Sequence, residues 1–164
     1  MSNTDNIRVQ NEQAKKIDDN TQKLLSFYVN DRLYAVPIEI VSEIIGIQDI
    51  SFVPRLPHFI KGVTNIRGKV VPIIELRARF ENPSAEYNDR TCIVIVEHED
   101  INVGFIIDEI SDVLTTSKNE MINSEPSVDE ENEFISGIVR TENGIALLLD
   151  VEKTISVEEL VDVV

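Results

Sequence analysis

Four carboxylates occupy matching places in four similar stretches of the chain. NDRLYAVPIEIVSEI, IRGKVVPIIELRARF, EDINVGFIIDEISDV and TENGIALLLDVEKTI each open on a turn, run through apolar residues and reach Glu39, Glu75, Asp108 or Asp150. Paired acids can act as general acid and base where their environments push their pKa values apart. The same residues can instead accept the orphan N–H groups at a helix start, where the positive end of the dipole favours them. Repetition at equivalent places favours capping. Five residues beyond each acid stands an apolar residue, Ile44, Phe80, Val113 or Ile155, expected to fold a short helix back over the open end of a sheet.

The other catalytic constellations are thin. His58 and His98 stand apart, outside any H-E-x-x-H pattern, and His98 in VEHED reads as a solvated turn histidine. No nucleophile elbow occurs, and none of the six glycines falls in a G-x-G arrangement, so phosphate-cradling loops are not expected. DEENE at 129–133 offers oxygen ligands without EF-hand spacing or its central glycine, which points to a solvated acidic loop. The single cysteine, Cys92, lies in the apolar run TCIVIV. It excludes an internal disulfide and a multi-cysteine metal site, and reads as a small core residue. No catalytic residue, cofactor or metal is expected.

Recognition is better represented. Six of the fifteen Lys and Arg fall between Val53 and Phe80, opposed only by Glu75, in a chain of net charge −15. Within that island, VTNIRGKVVPII sets Asn65 and Gly68 around Arg67. Asn and Gly tolerate the left-handed backbone of a tight turn, so Arg67 is expected at a hairpin tip. One reading is an ordinary turn whose arginine pairs with an acid of the same fold. The other is a displayed guanidinium whose five donors meet a partner's carboxylates and carbonyls. On that second reading Lys61 and Lys69 widen the patch, while Arg77 and Arg79 are left to solvent. In IEIVSEIIG, residues Ile40, Val41, Ile44 and Ile45 recur at helical spacing, most of them core, with a remainder available as an exposed apolar patch.

The elements that must position these groups are mostly strands. The chain has 164 residues, 42% of them apolar but only 5% aromatic, so a core must be built from Val, Ile and Leu, which suit a pleated surface. Residues 1–22 read as a flexible polar tail and 23–164 as the folded part. LLSFYV, NDR and LYAVP make a hairpin. Residues 117–133 form an exposed loop with at most a helical turn, and SVEELVDVV, opening on Ser156 and Glu159 in capping-box spacing, forms a C-terminal helix. The four repeats suggest two small barrels related by duplication, a solution that also removes exposed strand edges. No apolar run reaches the ~20 residues that span a bilayer, and the N-terminus lacks a signal-peptide core. A cytoplasmic protein is expected. The acidic balance argues against nucleic acid as the partner.

The ordered set NDRLYAVPI, GVTNIRGKVVPIIELRARF and GFIIDEISDVL, with VPRLPHFIKG ahead of the second, resembles the chemotaxis coupling protein (CheW) family over about Leu24 to Ile155. The resemblance implies two intertwined five-stranded β-barrels of SH3-like topology with a groove between them, and a non-enzymatic adaptor. It implies as partners the regulatory domain of the chemotaxis histidine kinase CheA, and the helical cytoplasmic tip of a methyl-accepting chemoreceptor held in the groove. It also implies recruitment to membrane-associated receptor arrays. Gly62, Asn65, Arg67 and Gly68 fall on the family's motif turn, whose arginine is implicated in coupling. Val41, Glu43 and Ile44 match a helical segment used in partner contacts, and Ile110 aligns with an apolar position near the groove. Ile66 and Glu75 replace the commoner Leu and Asp.

Three alternatives stay open beside that reading. One is a CheW-like paralogue of another chemosensory pathway such as twitching motility, or a CheW-like module of a CheV-type adaptor. Met1 and the end at Val164 are those expected of a standalone protein. The second is an enzyme using the repeated acids, and the third a small-barrel nucleic-acid binder using the 55–79 patch, which lacks stacking aromatics.

Overall fold

The computed structural model describes residues 21–117, 121–123, 133–142, 144–156 and 160. In order come β1 (Thr21–Val29), β2 (Arg32–Pro37), a 3-10 turn (Ile38–Ile40), β3 (Val41–Gly46), β4 (Ile60–Ile66) and β5 (Lys69–Glu75). Then follow α1 (Leu76–Arg79), β6 (Cys92–His98), β7 (Ile101–Ile107), β8 (Glu109–Ser117), β9 (Met121–Asn123), β10 (Ile135–Thr141), β11 (Gly144–Leu149) and α2 (Val151–Ile155). The chain is mostly β, as its β-branched composition dictates. β1 starts at Thr21, two residues ahead of the boundary read from sequence.

Two sheets carry the fold, in orders β8-β1-β2-β11-β10-β9 and β3-β6-β7-β5-β4. Each is made of two antiparallel blocks joined by one parallel seam. β2 runs parallel to β11, with Tyr34 opposite Leu147, and β7 runs parallel to β5, with Gly104 opposite Ile73. The first half of the chain, β1 to β5, and the second, β6 to β11, each place their leading hairpin in the other half's sheet. That exchange is what makes the two units intertwined. Even the irregularities repeat, with bulges in β1–β8 and β3–β6, and again at Ile60/Gly62 and Ile135/Gly137. The leading hairpins turn identically, through Asn30 (φ 50) and Asp31 (φ 63) and through Glu99 (φ 50) and Asp100 (φ 66). Two positive φ values in a two-residue loop match the twist of the flanking strands.

The duplication separates the four repeats into two kinds. Glu75 and Asp150 lead into α1 and α2, whereas the chain after Glu39 and Asp108 passes into β3 and β8. Of the four acids only Asp150 caps a helix with its side chain, accepting Lys153 N at 3.1 Å. Glu75 holds the N-cap position without a capping bond, because its carboxylate turns to Tyr87 Oη at 2.8 Å. Fourfold capping is therefore corrected to one cap. Likewise Ile155 and Phe80 pack inward while Ile44 and Val113, each 45% exposed, lie on strands and face out.

Alternate strand residues feed three cores. Val94, Val96, Val103, Phe105 and Ile107 meet Leu25, Phe27, Val29, Tyr34 and Val36 in the core between the sheets. Leu24, Ala35, Val139, Ala146 and Leu148 fill the first sheet's other face, and Val71, Ile73, Ile93, Ile95 and Ile106 fill the second's. Strands buried on both faces read as continuous apolar runs, hence TCIVIV and GFII. Gly104 is needed there, since a Cβ would lie 2.6 Å from Ile73 Cδ1 and 2.8 Å from Ile93 Cγ2.

Three further expectations are revised or fall outside view. Met121–Asn123, expected in a loop, pairs with β10, Ile122 opposite Ile138. Ser156 closes α2 in a left-handed conformation (φ 53), and Leu160 is helical and buried. The rest of the expected C-terminal helix (157–159 and 161–164) and of the acidic loop (118–120 and 124–132) lies outside the described residues, as does tail residue range 1–20.

Candidate protein-interaction site

Arg67 stands at the tip of the β4–β5 hairpin, where Ile66 faces Lys69. Arg67 (φ 53) and Gly68 (φ 82) take the left-handed backbone that such a turn requires. Asn65 Oδ1 accepts the Gly68 N–H at 2.9 Å and fixes the loop. The Arg67 side chain is 82% exposed, and its Nη2 lies 3.7 Å from Glu43 Oε1. β3, which carries Glu43, and β4 are the two outer strands of their sheet. An ion pair between one outer strand and the hairpin of the other requires the sheet to curl. Ile45 of β3 and Ile66 of β4 pack on the same core cluster, as a curled sheet demands. Both readings of Arg67 thus meet at one residue: it pairs with an acid of its own fold, loosely, and still presents its guanidinium to solvent.

Gly62 lies elsewhere in function. Its φ is +152, and a Cβ there would collide with the Ser51 carbonyl oxygen. Ser51 and Val63 exchange backbone hydrogen bonds of 2.7 and 2.9 Å across that close approach. Gly62 therefore lets the segment ahead of β4 clip onto it and positions the hairpin from behind.

Val41, Glu43 and Ile44 sit on strand β3, not on a helix. Helical spacing misleads here because a bulge between Val41 and Glu43 shifts the side-chain alternation by one. Val41 faces Val96 across the ladder, and Ile110 faces Phe27. The leading hairpins are counterparts, so Val41 and Ile110 are counterparts too, one on each side of the duplication. Both are partly buried and pack at the margin of the core between the sheets. Ile44, facing Val94, and Val113, facing Leu25, are related in the same way and are both exposed. On the hairpin tips the relation inverts charge: exposed Glu142 takes the place in the β10–β11 turn that Arg67 takes in β4–β5. Sequence reading missed Val70 and Ile145, exposed by 52% and 58% on the strands that follow these turns; alternation with buried Val71 and Ala146 was their signal.

Three other cations do not join the patch. Lys61 turns to Glu75 Oε2 at 3.9 Å and lies 5.9 Å from the Tyr87 ring centroid. Arg77, expected in solvent, makes a bidentate pair with Asp108, Nη2 to Oδ2 at 2.7 Å and Nε to Oδ1 at 2.9 Å. Those bonds raise the Arg77 pKa further. Arg79, also expected in solvent, stacks 3.9 Å from the Phe59 centroid and 4.7 Å from that of Phe134. A four-residue helix at the junction of the sheets has no wholly solvated face, which short-range periodicity cannot reveal.

Two of the four repeated carboxylates come together, and both are engaged by neighbours. Glu75 and Asp108 share a polar cavity of about 410 Å³ with Tyr28, Tyr87 and Arg90, but each already has its partners. Asp108 Oδ2 also accepts Asn30 N at 2.8 Å. Burial first, then the bond to Glu75, push the Tyr87 phenol well above 10.0. Burial likewise raises the Cys92 thiol, an inert, partly buried side chain. His98 is a corrected expectation: it ends β6 with its Nε2 buried, 3.9 Å from Glu99 Oε1. With Glu152 it brings three donor atoms within 4.8 Å, two of them on exposed acids of the kind common without an ion.

Among the described residues no helix is long and apolar enough to cross a membrane. Residues 23–159 match the CheW-like domain. The chemotaxis protein CheW of Bacillus subtilis is 35% identical over 138 residues, 84% of this chain and 88% of that protein. The chemotaxis protein CheW of Klebsiella aerogenes is 34% identical over 141 residues, covering 85% and 84%. The crystal structure of the scaffolding protein TtCheW from Thermoanaerobacter tengcongensis superposes with a TM-score of 0.73 at 28% identity, over 78% of this chain and 88% of that one. With a family-domain match over residues 23–159, relatives of this kind over most of its length and a superposable scaffolding-protein structure, the chain belongs to the CheW family of chemotaxis adaptors.

Proposed function

We propose that this protein couples a methyl-accepting chemoreceptor to the histidine kinase CheA, without catalysis of its own. The observation that carries the reading is the placement of Val41 and Ile110 as counterparts flanking the core between the sheets. The partner implied by the family resemblance is a helical receptor tip, and a helix docking in a groove needs apolar anchors with a polar rim. Val41 and Ile110 supply the anchors. Arg67, with Asn65 and Gly68 holding its turn, supplies charge-assisted donors to the receptor's acids, and Glu43 keeps the guanidinium oriented. The exposed Ile44 and Val70 offer the kinase regulatory domain an apolar face. Adaptor and kinase then assemble beneath the membrane through the receptor.

The test is binding of purified protein to a soluble receptor-tip fragment and, separately, to the kinase regulatory domain, with an Arg67→Glu variant. The wild type is expected to bind both. Losing a charge-assisted pair and gaining a like charge cost about 2 kcal/mol, so the variant should bind the tip roughly thirtyfold more weakly while its circular dichroism is unchanged. Affinity for the tip should fall as salt rises. Equal affinity of wild type and variant removes Arg67 from the interface. A wild type that binds neither partner removes the coupling role and favours a paralogue of another chemosensory pathway.

A further inference from the structure

The core between the sheets is aliphatic and aromatic packing, which is favourable but weakly directional. Something else must fix how one sheet is set against the other. Both arginines of α1 reach from the end of β5, in one sheet, toward the other: Arg77 to Asp108, the residue where the chain passes from β7 of its own sheet into β8 of the other, and to the β1–β2 turn, and Arg79 to α2. Arg77 grips Asp108, whose Oδ2 also takes the Asn30 N–H, and its Nη1 lies 3.4 Å from Asn30 Oδ1 on the β1–β2 turn. Arg79 donates from Nε to Thr154 O and from Nη2 to Lys153 O, both at 2.9 Å, at the end of α2. Its guanidinium lies between Phe59 and Phe134, counterparts one residue ahead of β4 and β10.

The duplication does not supply these ties twice. The counterpart of Arg77 in α2 is Glu152, and that of Asp108 is Glu39, two carboxylates that cannot pair. The counterpart of Arg79 is Thr154, whose carbonyl Arg79 itself uses. Both polar struts therefore come from α1 alone.

We infer that Arg77 and Arg79 are positioning residues that set the angle between the two sheets, and with it the separation of Val41 and Ile110. The consequence for partner affinity rests on the reading that a helix docks between those residues; the consequence for geometry does not. Arginine is needed at position 79, because only a planar guanidinium can stack on rings while donating to two carbonyls, so lysine does not replace it.

The experiment uses the full chain with Cys92→Ala, Val70→Cys and Ile145→Cys, which puts spin labels on exposed counterpart positions in the two sheets. Pulsed dipolar spectroscopy reads the distance distribution with Arg79→Leu, Arg79→Lys or Arg77→Gln added. Unlabelled variants are titrated with the receptor-tip fragment. The expected result is a shifted or broadened distribution in all three variants, with far-ultraviolet circular dichroism retained and tip affinity reduced at least about fivefold. A merely structural role predicts lower urea midpoints with an unchanged distribution in the folded protein, and that result overturns the proposal. Should Arg79→Leu fail to fold, the milder Arg77→Gln and Arg79→Lys carry the same test. A shifted distribution in a protein whose wild type binds no tip upholds the struts and overturns the docking reading instead.

Discussion

Gly62→Ala tests most sharply whether the motif turn is built or merely displayed. Position 62 has φ +152, a backbone that L residues with a Cβ hold only at a cost of about 1–3 kcal/mol. The added methyl also meets the Ser51 carbonyl oxygen, which is backbone and cannot rotate away. Relief requires Ser51 and Val63 to part, losing the hydrogen bonds of 2.7 and 2.9 Å at about 1 kcal/mol each. Together these give a loss of about 3–5 kcal/mol, near 10 °C or more in Tm for a chain of this size. Urea unfolding followed by circular dichroism measures it, with an unchanged m-value showing that stability alone moved. A control is Gly68→Ala, where φ is +82 but no atom lies within 4 Å of the added Cβ, so only about 1 kcal/mol of strain is expected. Equal, small losses at both positions would refute the clip between the Ser51 segment and β4.

Other perturbations separate structural from surface roles. Asp150→Ala removes the side-chain cap of α2, the bond from the Lys153 N–H, and should cost about 1 kcal/mol in urea unfolding. Ile44→Ser, at a position 45% exposed, should cost under about 1 kcal/mol while weakening the kinase regulatory domain's binding. Tyr87 has its pKa raised by burial and by Glu75, so its contribution to stability is full below its unfolded value of 10.0 and is lost as pH climbs through the higher folded value. Stability should therefore fall with pH above 10.0, and Tyr87→Phe should flatten that part of the profile in alkaline urea titrations.

Much of this architecture was legible. The β1–β2 hairpin announced itself through LLSFYV–NDR–LYAVP, and Asn65 and Gly68 marked the Arg67 turn, because local rules about left-handed backbone decide such features without tertiary help. The repeats exposed the duplication. What they concealed was that Glu39 and Asp108 precede strands and only Glu75 and Asp150 precede helices; which sheet a chain enters next is decided by pairing across the whole molecule. β3 looked helical because one bulge shifted the alternation of IEIVSEIIG. Arg77 and Arg79 looked solvated because their partners, Asp108, Thr154 and Phe134, lie dozens of residues away and meet them only once the halves interlock. The counterpart relation of Val41 and Ile110 needed the register of two ladders, which no single stretch contains.

The central claim is that one small protein joins receptor and kinase, and co-sedimentation measures it most directly. Receptor tips held on vesicles are spun with the kinase in the presence and absence of this protein. The account predicts that kinase pellets with the vesicles only when the protein is added, and that Arg67→Glu requires roughly thirtyfold more protein for the same effect while still binding the kinase regulatory domain in solution. Kinase that pellets equally without the protein, or that stays in the supernatant with it, contradicts the coupling role.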